Sequence, residues 1–187
     1  MNIIQTHIPG VVILEPLVHL DDRGYFFESF SEREFAAKVA DVRFVQDNES
    51  LSRYGVIRGL HFQKGEDAQA KLVRVVRGRV VDVAVDIRKG SPWFGQHVAV
   101  ELSAENRRQL YIPKGFAHGF SVLSEEAVFQ YKCDRFYAPD NEGALAWDDP
   151  DLGIDWKIPE CDRIVSPKDM QHPQLKNLND LPLYIES

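Results

Sequence analysis

Sulfur and positive charge are both scarce in this chain. It has two cysteines and two methionines in 187 residues, and 22 Lys and Arg against 29 Asp and Glu, a net charge of −7. Cys133 and Cys161 form neither a metal-binding nor a redox spacing, so neither zinc-finger nor thioredoxin-like chemistry is indicated. The charge balance supplies no global field for nucleic acid or an anionic membrane; an anionic ligand would need cations concentrated in one pocket. No apolar run approaches the ~20 residues that span a bilayer. The N-terminal stretch has no Lys or Arg before Arg23 and is interrupted by Pro9, Glu15 and Pro16, unlike a secretory signal. The expectation is a cytoplasmic protein with reduced thiols, bound to neither membrane nor nucleic acid.

Helix signals are sparse too. Ser31-Glu32-Arg33-Glu34 is a capping box, predicting one short helix from Ser31 to about Ala40. Elsewhere the first three quarters of the chain read as strands. Val11 to Leu14 and Tyr25 to Phe27 flank the turn signal Asp21-Asp22-Arg23-Gly24, and Val42 to Leu51 and Val56 to Gln63 follow the helix. Val81, Val83, Val85 and Ile87 alternate with Asp82, Ala84 and Asp86, and Val98, Val100 and Leu102 repeat that period of two. Phe116 to Leu123 and Ala127 to Cys133 complete the series. Short strands separated by Gly and Pro turns indicate an antiparallel sandwich or barrel. From about residue 138 the composition shifts to Pro, Asp, Asn and Trp. The expected organisation is one domain over 1–187, with a barrel core at about 42–137 and an irregular tail, holding one or two short helices, laid over it.

The chemistry concentrates at Gly55-Val56-Ile57-Arg58-Gly59-Leu60-His61-Phe62-Gln63 and Lys71. With Pro113-Lys114-Gly115-Phe116-Ala117-His118-Gly119, this stretch resembles the two cupin motifs, in which metal-binding members use a His-x-His pair, an acidic ligand and a further His. Here Gln63 replaces the second histidine, and the Lys71 ammonium offers donors only and repels a divalent ion, so no metal is expected. The alternative use of such a mouth is proton chemistry. His61 serves as base beside a carbonyl, Lys71 meets the charge developing on the enolate oxygen, and a tyrosine is suited to return a proton from the opposite face.

The resemblance extends further. The 55–63 stretch, Gln69-Ala70-Lys71-Leu72, Asp82-Val83-Ala84-Val85-Asp86-Ile87-Arg88, Ile112 to Phe120, Tyr131-Lys132 and Trp147-Asp148-Asp149-Pro150 resemble, in order, the dTDP-4-dehydrorhamnose 3,5-epimerase family, from about Arg23 to Asp169. That resemblance implies a homodimeric cupin-type jelly roll (a double-stranded β-helix) with neither metal nor cofactor. The implied reaction epimerises C3 and C5 of dTDP-4-dehydro-6-deoxy-D-glucose on the path to dTDP-L-rhamnose.

It also implies roles. His61 is the base, Asp169 its orienting partner, Lys71 the enolate stabiliser and Tyr131 the acid. Read without the resemblance, Asp169 is equally a turn acid and Tyr131 a barrel-wall aromatic. Arg58, His118 and Lys168 fall around sugar and diphosphate, and Arg23 is a phosphate clamp suited by its planar fork. Glu28, Gln46, Asn48 and Glu142 contact nucleotide or sugar, and Tyr137 stacks on thymine. Phe62, Trp93 and Cys133 depart from the family's usual residues without touching a proton-transfer group. The rival readings are an epimerase acting at C3 or C5 alone, a metal-dependent cupin oxygenase, and a nucleotide-sugar binding cupin without activity. One geometric question is explicit: Arg58 and His61, three apart, point to opposite faces of a regular strand, so either the strand bends, for which Gly59 offers a bulge, or the two groups serve different parts of the pocket.

Overall fold

The computed structural model describes residues 1–185, and its core is two sheets packed face to face. The strands are β1 (Asn2–Gln5), β2 (Val12–Glu15), β3 (His19–Asp21), β4 (Gly24–Phe26), β5 (Gln46–Arg53), β6 (Val56–Gln63) and β7 (Lys71–Arg77). They continue with β8 (Arg79–Asp86), β9 (His97–Ser103), β10 (Gln109–Ile112), β11 (Phe116–Val122), β12 (Glu126–Cys133), β13 (Glu142–Ala144) and β14 (Ile164–Val165). One sheet runs β1-β2-β10-β7-β12-β5 and the other β13-β6-β11-β8-β9, with β14 pairing in parallel with β6. The interleaving 5-12-7-10 against 6-11-8-9 is the jelly roll of two Greek keys; the fold is mainly β and of cupin type, as expected.

Between the sheets lie Val73, Val75, Leu110 and Phe129 from the first and Val80, Ala84, Phe116 and Phe120 from the second. Phe120 and Phe129 stack across the gap at 4.2 Å between centroids. The single α-helix among the described residues, α1 (Glu32–Lys38), is capped as its sequence directs: Ser31 Oγ accepts from the Glu34 N–H. Phe35 on this helix packs with Val12, Leu14, Leu72 and Tyr111 on the outer face of the first sheet.

The outer face of the second sheet is covered by the C-terminal tail. Leu145, Leu152, Trp156 and Leu175 are buried against Ile57, Leu60, Val81, Val83 and Val85. The alternation in β8 therefore has an unexpected meaning. A half-buried strand would turn Asp82 and Asp86 to water, yet both are fully buried, because the apolar face meets the tail and the polar parity points into the barrel. The tail holds short 3-10 turns, as the sequence suggests, and also supplies β13 and β14 along the free edge of β6. Six strands have no counterpart in the sequence reading: β1, β3, β7, β10 and the tail strands β13 and β14. Strand β5 begins later than expected, at Gln46, and β3 and β4 form their own hairpin about Asp22-Arg23.

Candidate active site

Strand β6 carries one residue more than its partner. His61 pairs with His118 and Arg58 with Phe120, so three steps on β6 answer two on β11. This is the bulge that Arg58 and His61 require, and Gly59 makes it. Its φ is +127°, and an added Cβ would lie 2.6 Å from the Cα of Gly119, a conformation and a contact open only to glycine. Arg58 and His61 accordingly line one cavity of about 620 Å³, with Lys71, His118, Phe129, Tyr131, Lys168 and Asp169. A smaller adjoining recess is lined by Gln46, Asn48, Gln63, Tyr137 and Glu142, and His61, Lys71 and Tyr131 border both.

His61 and Asp169, 108 residues apart, meet at 2.7 Å between Nε2 and Oδ1. The carboxylate is nearly buried, while the His61 side chain is 33% exposed toward the cavity. Burial alone would raise the Asp169 carboxyl. The hydrogen bond and charge of His61, with donation from Ser166 and the Gly59 backbone, outweigh that and hold it below its ordinary value. A carboxylate accepts only, so Nε2 carries the proton of the neutral ring and Nδ1 keeps the lone pair.

Across the barrel, on the other sheet, Lys71 and Tyr131 sit on β7 and β12, with the Lys71 Nζ 5.9 Å from the Tyr131 ring centroid. Burial lowers the Lys71 pKa against the opposing charges of Cys133, Asp82 and Glu142. Burial also raises the Tyr131 phenol, so it stays protonated. His118 Nε2 lies 2.8 Å from Asp82 Oδ1, and burial lowers its pKa despite that neighbour. The second oxygen, Asp82 Oδ2, is buried without a hydrogen-bond partner among the described residues.

The cupin metal set is otherwise engaged. Gln63 Oε1 accepts from the Ala138 N–H at 2.9 Å, and His118 is turned to Asp82. In the adjoining recess a chain of polar contacts positions the remaining groups. Gln46 Nε2 donates to Asn48 Oδ1 and Gln46 Oε1 accepts from the Tyr137 N–H, each at 3.0 Å. Lys168 pairs with Glu142, and Arg58 Nε donates to the Ser52 hydroxyl.

Arg23 and Glu28 are not brought to this cavity within the chain. Arg23 is 89% exposed at the tip of the β3–β4 hairpin and bonded to Asp21, and Glu28 lines a separate recess with Leu14 and Phe30. Sequence reasoning gave no role to Asp82, Ser166 or His172. Asp82 gave no signal, because an acid alternating with valines reads as solvent-facing; Ser166 and His172 show their proximity only once the tail is folded back.

The chain matches the family model described as dTDP-4-dehydrorhamnose 3,5-epimerase over residues 5–177. It is 54% identical over 176 residues to the dTDP-4-dehydrorhamnose 3,5-epimerase of Salmonella typhimurium, covering 94% of this chain and 96% of that protein. Identity to the enzyme of that name from Methanothermobacter thermautotrophicus is 51% over 183 residues, 97% of each. Among solved structures, the dTDP-6-deoxy-D-glucose-3,5-epimerase of Legionella pneumophila, in complex with dTDP-4-keto-L-rhamnose, superposes with a TM-score of 0.96 at 49% identity, covering 99% of both chains.

Proposed function

The chain belongs to the dTDP-4-dehydrorhamnose 3,5-epimerase family, and from that membership we propose which of its side chains move the protons. The enzyme is an isomerase that converts dTDP-4-dehydro-6-deoxy-D-glucose to dTDP-4-dehydro-L-rhamnose by inverting C3 and C5. Both carbons flank the C4 carbonyl, so each carries a proton acidified by it. His61 removes that proton through Nδ1, while Asp169 fixes the tautomer and stabilises the imidazolium that forms. The Lys71 ammonium meets the negative charge on the C4 oxygen. Tyr131 delivers a proton to the opposite face, and repetition at the second carbon completes the epimerisation.

One observation carries this reading: a paired base on one sheet faces a protonated phenol on the other, across a cavity large enough for a sugar. Arg58, His118 and Lys168 supply charge and hydrogen bonds for sugar and diphosphate, and Gln46, Asn48, Glu142 and Tyr137 form the nucleoside end. In deuterated water the enzyme should place deuterium at both C3 and C5 of the product. Label at one carbon would reassign it as a mono-epimerase, and none would reject the mechanism.

The working unit is a homodimer. The β3–β4 hairpin exposes Leu20, Tyr25 and Phe26 at 77%, 58% and 70%, an apolar arm of the kind that subunit interfaces cover. Arg23 stands at its tip, unused within its own chain's cavity. We assign Arg23 and Glu28 to the cavity of the neighbouring subunit. The exposed free thiol of Cys161 suits a reducing cytoplasm.

A further inference from the structure

We propose that His172 makes the His61–Asp169 pair into a divalent transition-metal site whose occupation switches the epimerase off. Asp169 Oδ1 lies 2.7 Å from His61 Nε2 and 3.3 Å from His172 Nε2. All three atoms fall within 4.8 Å of one another. Asp169 and His172 are three apart across a 3-10 turn, the spacing at which side chains eclipse. The two imidazoles stand at 89° with centroids 5.9 Å apart, so their nitrogens converge on the carboxylate instead of stacking.

Two neutral imidazoles and a carboxylate are a donor set for Zn²⁺ and Co²⁺. With metal–ligand bonds of ~2.1 Å, tetrahedral donors stand about 3.4 Å apart, so the widest of these separations, within 4.8 Å, needs to close by at most about 1.4 Å while the 2.7 Å His61–Asp169 contact opens by about 0.7 Å. The cavity gives an entry path along the exposed edge of His61 and leaves room for water to complete the coordination. Of the cations that line the cavity, Lys168 is already paired with Glu142, Arg58 donates to Ser52, and Lys71 stands on the opposite sheet. This site differs from the metal-binding cupin set, since it uses neither residue 63 nor His118.

The consequence follows from counting one proton. With Asp169 as acceptor, neutral His61 holds its hydrogen on Nε2 and its lone pair on Nδ1. A metal on Nε2 takes that nitrogen's lone pair, so the ring's hydrogen must move, through water, to Nδ1. The ring loses no proton overall and Asp169 stays ionised, but no lone pair is left to receive the proton of a carbon acid. The nucleotide contacts are untouched. The inhibition rests on His61 being the base, whereas the binding rests on geometry alone.

The test uses the full chain in a C161S background, which removes the exposed thiol as a competing ligand. Co²⁺ is followed by its visible absorption and Zn²⁺ by calorimetry, in this protein and in its His172→Ala variant. One ion per chain is expected, bound roughly tenfold or more weakly after His172→Ala. Zn²⁺ should abolish deuterium wash-in in step with occupancy, and EDTA should restore it, while dTDP affinity changes less than about twofold. The His172→Ala protein should keep exchanging at a Zn²⁺ concentration that silences its parent. Equal metal affinity in the two proteins, or dTDP affinity falling with occupancy, would overturn the site. His172-dependent binding that leaves wash-in intact would uphold the site and overturn the assignment of His61 as base.

Discussion

Lys71 and Tyr131 share one wall of the cavity, and burial moves their pKa values in opposite directions. Desolvation penalises whichever form is charged, so the ammonium becomes easier to deprotonate and the phenol harder. Lys71 starts at 10.5 and moves down, while Tyr131 starts at 10.0 and moves up. The alkaline limb of kcat/KM is therefore assigned to Lys71: activity is present while it is protonated and falls as pH rises through its lowered pKa. An arginine in its place stays charged throughout this range. Lys71→Arg is expected to lower kcat through altered geometry and to carry the alkaline limb to higher pH, as pH–rate profiles would record. A limb that stays in place would assign it to another group. Residues of this kind were legible in part. His61 and Lys71 announced themselves through their spacing and the amide at Gln63. Asp82 did not, because an acid in an alternating strand ordinarily faces water.

At the scale of elements, the β6 bulge links backbone to chemistry. Gly59→Ala forces a Cβ into a backbone region favouring glycine and against the Gly119 backbone. The expected cost is about 1–3 kcal/mol in urea unfolding, together with a loss of deuterium exchange exceeding the loss of dTDP binding, since Arg58 and His61 no longer converge. Unchanged exchange would mean that the bulge is not needed for their alignment. The tail is the second case. Its sequence suggests an irregular tail packed over the barrel, and Trp156 is buried at 2% exposure, with Ser121 on β11 donating to its carbonyl at 2.6 Å. Trp156→Ala should cost about 3–5 kcal/mol, as for a core residue; a loss under about 1 kcal/mol would show the tail to be peripheral.

The elements legible in sequence were those with a clean period, a flanking turn signal or a cap: α1, β2, β4, β6, β8, β9, β11 and β12, with β5 read from Val42 where it begins at Gln46. Strand β7 hid because its two faces serve different layers, Leu72 packing under α1 and Val73 between the sheets, which erases the alternation. Strand β10 is four residues long and buried throughout, too short and too uniform for a periodicity signal.

At the scale of the whole molecule, the site is built from distant parts: β6 and β11 of one sheet, β7 and β12 of the other, and the tail that returns Asp169 to His61. Local spacing could not join that pair, and it was the family resemblance that linked them before the structure placed them at 2.7 Å. The proposed dimer extends the same principle. If Arg23 serves the neighbouring subunit, Arg23→Ala and His61→Ala proteins, each impaired alone, should recover activity when their subunits are exchanged. One site of each mixed dimer then has both residues intact. No recovery on mixing would return Arg23 to its own chain.

In the proposed mechanism base and acid face the sugar from opposite sheets, and isotope release followed beside inversion separates their roles. Substrate carrying deuterium at C3 and C5 is incubated in ordinary water with the His61→Ala and Tyr131→Phe enzymes, and both label release and inversion are followed. The Tyr131→Phe enzyme should release label, because His61 still takes it, yet form no inverted product; the His61→Ala enzyme should release none while still binding dTDP. Label lost from the His61→Ala enzyme at the parent rate, or inversion surviving in the Tyr131→Phe enzyme, would contradict the two-sheet mechanism.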